Sequence, residues 1–374
     1  MLLENQTNII KKYFHKKGNN FFYNYILISK YIINMINVKN NIYKNFTKTK
    51  KLLPKSFKKS PFKMRLHRQK HRTTRKYNKQ FNKLKCSPYQ NKNIDHELKD
   101  YTCYSRSNLQ LFKNVWNANS SDKIVTNNSR EIWEYFKNKL DKQCYDELCW
   151  LKNTPLSKVN NSELLIKEIF KPFSPESWSS KPNTWLSSVD IIKIMKQYEK
   201  SHSYFKFIGP SPIDFDSKEL FSTCVWEQLC NFNLEEHIKN KITKIGVIFN
   251  TDPHNKPGQH WISLFLDLTK KFIFYFDSNG SKTPKQIQVL IDRIVNQAHN
   301  LNIKLIADNN EGFTHQFSDG QCGMYSLYFI IELLQENKTY NYFKTTRIKD
   351  ETMREYRKKY YNDAHIKMNP VFAN

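Results

Sequence analysis

Gln316-Phe317-Ser318-Asp319-Gly320-Gln321-Cys322-Gly323-Met324 sets a single cysteine between a polar loop and an apolar run. Downstream, Met324, Leu327, Phe329, Ile330, Ile331, Leu333 and Leu334 leave almost no polar face, so residues 324–334 predict a helix buried all round. Cys322 then lies in its first turn, where unpaired backbone N–H groups and the positive end of the helix dipole favour an anion. A thiolate there is a nucleophile, whereas a thiol there is a small buried hydrophobe, and the cysteine alone leaves both readings open. Gly323 removes a side chain beside the sulfur, which predicts close approach of a substrate backbone.

Upstream, His260-Trp261 opens an apolar run over residues 262–268, and a second run over residues 271–276 ends at Asp277. Both predict strands, joined into a hairpin by the short Thr269-Lys270 link. The start of one strand then lies beside the end of the other, and His260 becomes a neighbour of Asp277. A thiol nucleophile needs a base to take its proton and an acceptor to hold that imidazole in one tautomer. His260 and Asp277 meet those needs for Cys322. Gln316, in the same loop as the cysteine, is the candidate oxyanion donor, its side-chain amide joining the Cys322 backbone N–H. His254, His299 and His315 compete as base. His299 falls on a predicted helix and His315 lacks an obvious acidic orienter, so Asp277 selects His260.

This set resembles the SUMO-protease and adenovirus-protease family of cysteine peptidases. That family's pattern is His-Trp, then Asp-Ser closing the next strand, then Gln, five residues and Cys-Gly. His260-Trp261, Tyr275-Phe276-Asp277-Ser278 and Gln316 with Cys322-Gly323 fit it. Trp185-Leu186, in Thr184-Trp185-Leu186-Ser187-Ser188-Val189-Asp190, is similar to the family's early Trp-Leu, which starts a helix and lines the channel for a Gly-Gly substrate end. The likeness covers roughly residues 180–340. It departs at Gln321, where cellular members usually carry Asp. Gly209-Pro210-Ser211-Pro212-Ile213-Asp214-Phe215 is similar to a segment of the polyprotein-processing proteases of large DNA viruses, of the African swine fever virus type. The resemblance implies a papain-like or adenain-like α+β fold. It also implies cleavage after Gly-Gly-Xaa sequences in viral structural polyproteins, with Trp185 and Trp261 lining the substrate groove.

Composition bounds the rest. The chain of 374 residues carries a formal charge of +27. From Lys48 to Lys85 there are sixteen Lys or Arg and no Asp or Glu, so more than half of the excess lies in one tenth of the chain. Such a run repels itself and predicts a solvated arm, with DNA contact through counterion release as its functional reading. Phe57, Phe62, Tyr77 and Phe81 among the charges can stack on bases. Residues 21–38 are apolar but interrupted by Asn24, Lys30, Asn34 and Asn37, which predicts a soluble helix rather than a membrane span. Residues 1–17 lack a signal-peptide core. Seven cysteines without metal spacing fit a reducing compartment, no metal site and no cofactor. The expected location is the virion and host cytoplasm, not a secreted one.

Trp116, Trp133, Phe136, Leu140, Leu148, Trp150 and Leu151 recur at helical intervals, with Ser129 as a predicted helix cap. Pro172, Pro175 and Pro182 mark a boundary. The chain therefore divides into a basic, partly disordered arm over 1–100, a mostly helical extension over 101–180 and a catalytic region over 181–374. Within the last, helices are expected over 185–198 and 284–302, and strands over 242–251 and 303–307. The reading is a cysteine endopeptidase: Cys322 attacks, His260 shuttles the proton, Asp277 orients His260, and Gln316 holds the oxyanion. The alternatives are a ubiquitin-like (SUMO-type) protein protease, an acetyltransferase with the same order of residues, and a nucleic-acid-binding virion protein with an inactive protease fold.

Overall fold

The apolar runs after His260 become the middle of a sheet. The structure is a computed structural model that describes residues 84–153, 155–218 and 223–364, all within one compact unit, Lys76–Asn374. The readings of residues 21–38 and of the basic tract before Leu84 lie outside the described residues. Among these, five strands form one mixed sheet: β1 Phe205–Pro212, β2 Lys244–Asn250, β3 Trp261–Asp267, β4 Phe272–Phe276 and β5 Ile306–Asn309. They lie in sequence order, antiparallel in the middle and parallel at both edges. Seven helices of eight or more residues accompany them: α1 Arg106–Asn119, α2 Ser129–Leu140, α3 Ser162–Ile169, α4 Ser188–Ser201, α5 Lys285–Asn300, α6 Cys322–Leu334 and α7 Asp350–Tyr360.

Both faces of the sheet are covered. Along β4, Phe272, Phe274 and Phe276 enter one core while Ile273 and Tyr275 enter the other. Side chains alternate across a strand, so a strand buried on both faces is apolar at successive positions, as β4 is throughout and β3 is apart from buried Ser263 and Asp267. The first core includes α4 and α6, and all thirteen residues of α6 are buried, as its sequence predicts. Each buried Leu, Ile or Phe there contributes about 1.5–3 kcal/mol. The second core lies under α5, through Ile287, Leu290, Ile291, Ile294 and Ala298.

Local signals moved some boundaries. α4 starts later than residue 185 because Ser187 and Asp190 form a reciprocal capping box, which leaves Trp185-Leu186 outside the helix. α2 is capped by Asn128, whose side chain accepts from Arg130 and Glu131, and Ser129 is its first helical residue. β5 begins at Ile306 rather than Ile303. β1 and α7 were not expected.

The helical region packs around Trp150, Phe136, Phe112 and Tyr104. Residues 84–100, assigned above to the arm, join it from Leu84 onward, with Cys86 bridged to Phe170. Six of the seven cysteines pair, as Cys86–Cys103, Cys144–Cys149 and Cys224–Cys230. This departs from the free thiols that a reducing compartment would leave: two of the pairs are local, with sequence separations of 5 and 6, and the third has a separation of 17. A polar seam ties this region to the sheet. Buried Asn362 accepts from the Lys85 backbone N–H at 2.7 Å and donates to the Lys171 carbonyl at 2.8 Å, and its own backbone exchanges bonds with Pro172 and Ser174.

Candidate active site

Three element ends converge at one end of the central strands: the start of β3, the end of β4 and the start of α6. His260 precedes β3 and Asp277 follows β4, so the antiparallel hairpin sets them side by side, with His260 Nε2 2.6 Å from Asp277 Oδ1. Asp277 is buried, and its carboxylate also accepts the Asn279 backbone N–H at 2.8 Å. Burial pushes the Asp277 carboxyl up, but hydrogen bonding and charge attraction from His260, with the Asn279 N–H and Ser281, leave it below its ordinary value. Buried Asn310, which sequence reasoning missed, fixes the strand end: its Oδ1 accepts from the Asp277 N–H at 2.9 Å and its Nδ2 donates to the Asp277 carbonyl at 2.7 Å.

Cys322 occupies the first position of α6, 3% exposed, and is the one cysteine outside a disulfide. No side chain caps this helix, so its first N–H groups stay free for an anion. The sulfur is near enough to His260 to act on its charge. Burial alone would lower the imidazole pKa. Hydrogen bonds and charge attraction from Asp277 and Cys322 outweigh it and raise His260 to about 9. The arrangement therefore favours an imidazolium beside the sulfur below that pH.

The competing histidines are accounted for. His315 is fully buried, its Nε2 on the Phe343 carbonyl at 2.9 Å and its Nδ1 accepting from Ile348 N–H at 3.1 Å. His254 pairs with Asp214 at 2.6 Å, and His299 stands exposed in the last turn of α5.

Gln316 enters the same cluster with a different bonding pattern from that expected. Its carbonyl oxygen accepts from Ser278 Oγ at 2.9 Å and its Nε2 donates to the Ser318 carbonyl at 2.8 Å. One amide hydrogen is thus committed to the loop and the second is left for another acceptor. Trp185 and Trp261 flank the turn that leads into Cys322. Trp261 Nε1 donates to the Leu186 carbonyl at 2.9 Å. A Cβ on Gly323 would stand 3.1 Å from Leu186 and Trp261, so the missing side chain makes room for these two residues rather than for substrate. Gly320, with φ +82°, sits so close to the Asn183 carbonyl that a Cβ would lie 2.1 Å from it, and 3.1 Å from the Trp185 ring. Trp185 remains 47% exposed and Phe317 67% exposed, an apolar lining on the solvent side of the turn.

Similarity to known proteins agrees with this construction. Residues 231–369 match the family described as Ulp1 protease family, C-terminal catalytic domain. A putative thiol protease of Acanthamoeba polyphaga mimivirus is 30% identical over 239 residues, covering 63% of this chain and 76% of that protein. A cysteine protease of African swine fever virus is 34% identical over 124 residues, 32% of this chain and 44% of that one. The crystal structure of the African swine fever virus protease superposes with a TM-score of 0.52 at 22% identity, covering 66% of this chain and 93% of that one, a likeness of fold. The chain belongs to the Ulp1 protease family of cysteine-type peptidases. Its α+β fold, with a largely helical region ahead of the sheet, is the Ulp1-like one.

Proposed function

We propose that the chain is an endopeptidase that cleaves viral structural polyproteins after Gly-Gly-Xaa sequences during virion maturation, with Cys322 as nucleophile. The observation that carries the catalytic part is the His260–Asp277 pair at 2.6 Å, with Cys322 nearby at an uncapped helix start. Cys322 Sγ attacks the scissile carbonyl, and the oxyanion is held by the Cys322 N–H and the Gln316 amide. His260 passes its proton to the leaving amine, then takes one from water as the thioester is hydrolysed. Asp277 keeps the imidazole in the tautomer and orientation this needs. Trp185 and Trp261 wall a groove that suits small residues before the cut. The likeness to viral thiol and cysteine proteases supports the polyprotein reading.

The test compares short fluorogenic peptides ending in Gly-Gly-Xaa with folded ubiquitin-like precursors, using Cys322→Ala as the blank. Cleavage of the peptides supports the proposal. Cleavage of folded precursors alone moves the substrate to ubiquitin-like proteins, and acetyl transfer without cleavage overturns the hydrolase. The tract from Lys48 to Lys85 belongs to the same reading as a DNA contact, and the site of action as virion and host cytoplasm. Affinity for duplex DNA that falls steeply with salt supports the contact, and no binding at low salt contradicts it.

A further inference from the structure

A buried cation stands behind the nucleophile turn. Arg357, on α7, is 4% exposed, and all its hydrogen bonds go to uncharged acceptors: Nε to Gln321 Oε1 at 2.9 Å, Nη1 to the Thr184 carbonyl at 2.9 Å and Nη2 to the Gly320 carbonyl at 2.7 Å. Its guanidinium carbon lies 4.3 Å from the centre of the Trp178 ring. Gln321 is fully buried and passes its own Nε2 to Asn183 Oδ1 at 3.0 Å. One guanidinium therefore holds the two residues before Cys322 and, through Thr184 and Asn183, the segment that carries Trp185. The end of α7 is itself held by lysines of the helical region, Lys85 Nζ on the Tyr361 carbonyl at 3.0 Å and Lys171 Nζ on the Lys359 carbonyl at 2.7 Å.

Burying a guanidinium is expensive unless charge or strong hydrogen bonds compensate it. The three acceptors supply hydrogen bonds but no negative charge. The neutral Gln321, the residue before the cysteine, leaves the positive charge unpaired, whereas a carboxylate there would neutralise it. Burial lowers Arg357 to about 10, with Tyr361 and Cys322 acting in the opposite direction, so it stays charged near neutral pH.

We propose that Arg357 is a positioning residue for the nucleophile: its fork fixes the Gly320-Gln321 turn, and its charge, left unpaired by the neutral Gln321, raises the reactivity of the Cys322 sulfur toward electrophiles. This rests on the reading of Cys322 as nucleophile.

The test uses the full oxidised chain, in which Cys322 is the one free thiol, and three variants. The readouts are the rate of Cys322 alkylation by iodoacetamide at pH 7, kcat and KM on a Gly-Gly-Xaa peptide, and the thermal midpoint. Gln321→Glu keeps the acceptor for Arg357, and Asn183 can turn its amide to meet the new carboxylate, yet the charge is neutralised. Alkylation should slow about tenfold with the midpoint unchanged or raised. Arg357→Met, which removes fork and charge, should slow alkylation by at least about tenfold and lower kcat far more than it raises KM. Arg357→Lys keeps the charge and should restore alkylation to within about threefold of the native rate while kcat stays low. Native alkylation rates in Gln321→Glu and in a folded Arg357→Met overturn the proposal; if Arg357→Met does not fold, Gln321→Glu decides. Turnover by Cys322→Ala would instead remove the nucleophile reading itself, a separate outcome.

Discussion

The sheet core around α6 and the helical cluster of residues 84–173 are both rich in buried aromatics, yet they use buried polar groups in opposite ways. In the helical cluster Glu147 is fully buried, and its carboxylate accepts from the Cys103 N–H at 3.0 Å and Trp133 Nε1 at 2.8 Å. Those bonds hold structure together and leave nothing facing solvent. At the end of the central strands, Asp277 is also buried, but its partner is an imidazole whose charge a nearby sulfur influences, and the helix N–H groups beside that sulfur have no side-chain cap. The lesson is that polar burial becomes a site where one bonding capacity is left unspent.

Substitutions in the two regions should therefore separate activity from stability. The largest effect is expected from Cys322→Ala, which should abolish peptide turnover, by about 10⁴-fold or more, while circular dichroism stays native. Native turnover would break the comparison at its centre. Asp277→Asn comes next, with kcat lowered by about 10³–10⁴-fold through loss of the right tautomer. It should also change the pH profile. With His260 raised to about 9, the imidazolium persists below that pH and is lost above it, so kcat/KM of the native enzyme should fall above about pH 9. Removing the Asp277 charge should bring that fall to lower pH, and an unmoved alkaline limb would mean Asp277 does not hold the proton. Gln316→Ala should lower kcat about 10²-fold with little change in KM, as loss of one oxyanion donor does. An unchanged kcat would leave Gln316 as a loop residue bonded to Ser278 and Ser318.

On the other side of the comparison, Trp150→Ala should lower unfolding free energy by about 3–5 kcal/mol in denaturant titrations, with kcat near native where the protein remains folded. Asn362→Ala, in the seam, should be smaller, about 1–3 kcal/mol, because it strips partners from the Lys85 N–H and the Lys171 carbonyl. If Trp150→Ala lowers kcat in folded protein, the helical region contributes to the site and the two regions are not separable.

The residues that report themselves in sequence are those whose neighbours are close or whose faces are uniform. The hairpin from His260 to Asp277 needed only two apolar runs and a short link, and α6 only its unbroken hydrophobicity. β1 escaped because it carries Gly209, Pro210 and Pro212. As an edge strand pairing on one side, it tolerates prolines that argue against a central strand. α7 escaped because its inward face is Met353, Arg357 and Tyr360, and the buried Arg reads as a surface charge. β5 starts later than expected because Ile306 is an exposed edge residue, while Ile303 and Leu305 before it pack beneath the sheet. Asn310 and the pairing of His254 with Asp214 depend on distant packing and had no local signal, whereas Cys144–Cys149 and Cys224–Cys230 are local pairs whose spacing is read above only against metal sites. The misreading of Gly323 has a simple cause: a glycine beside a nucleophile suggests space, but Leu186 and Trp261 fill it.

The most direct measurement is mass-spectrometric mapping of the adduct formed when the oxidised full-length protein meets a peptide electrophile ending in Gly-Gly. The account predicts a single adduct on Cys322, formed quickly in the native chain and at least about a hundredfold more slowly in His260→Ala. An adduct on another residue, or equal rates with and without the imidazole, would contradict it.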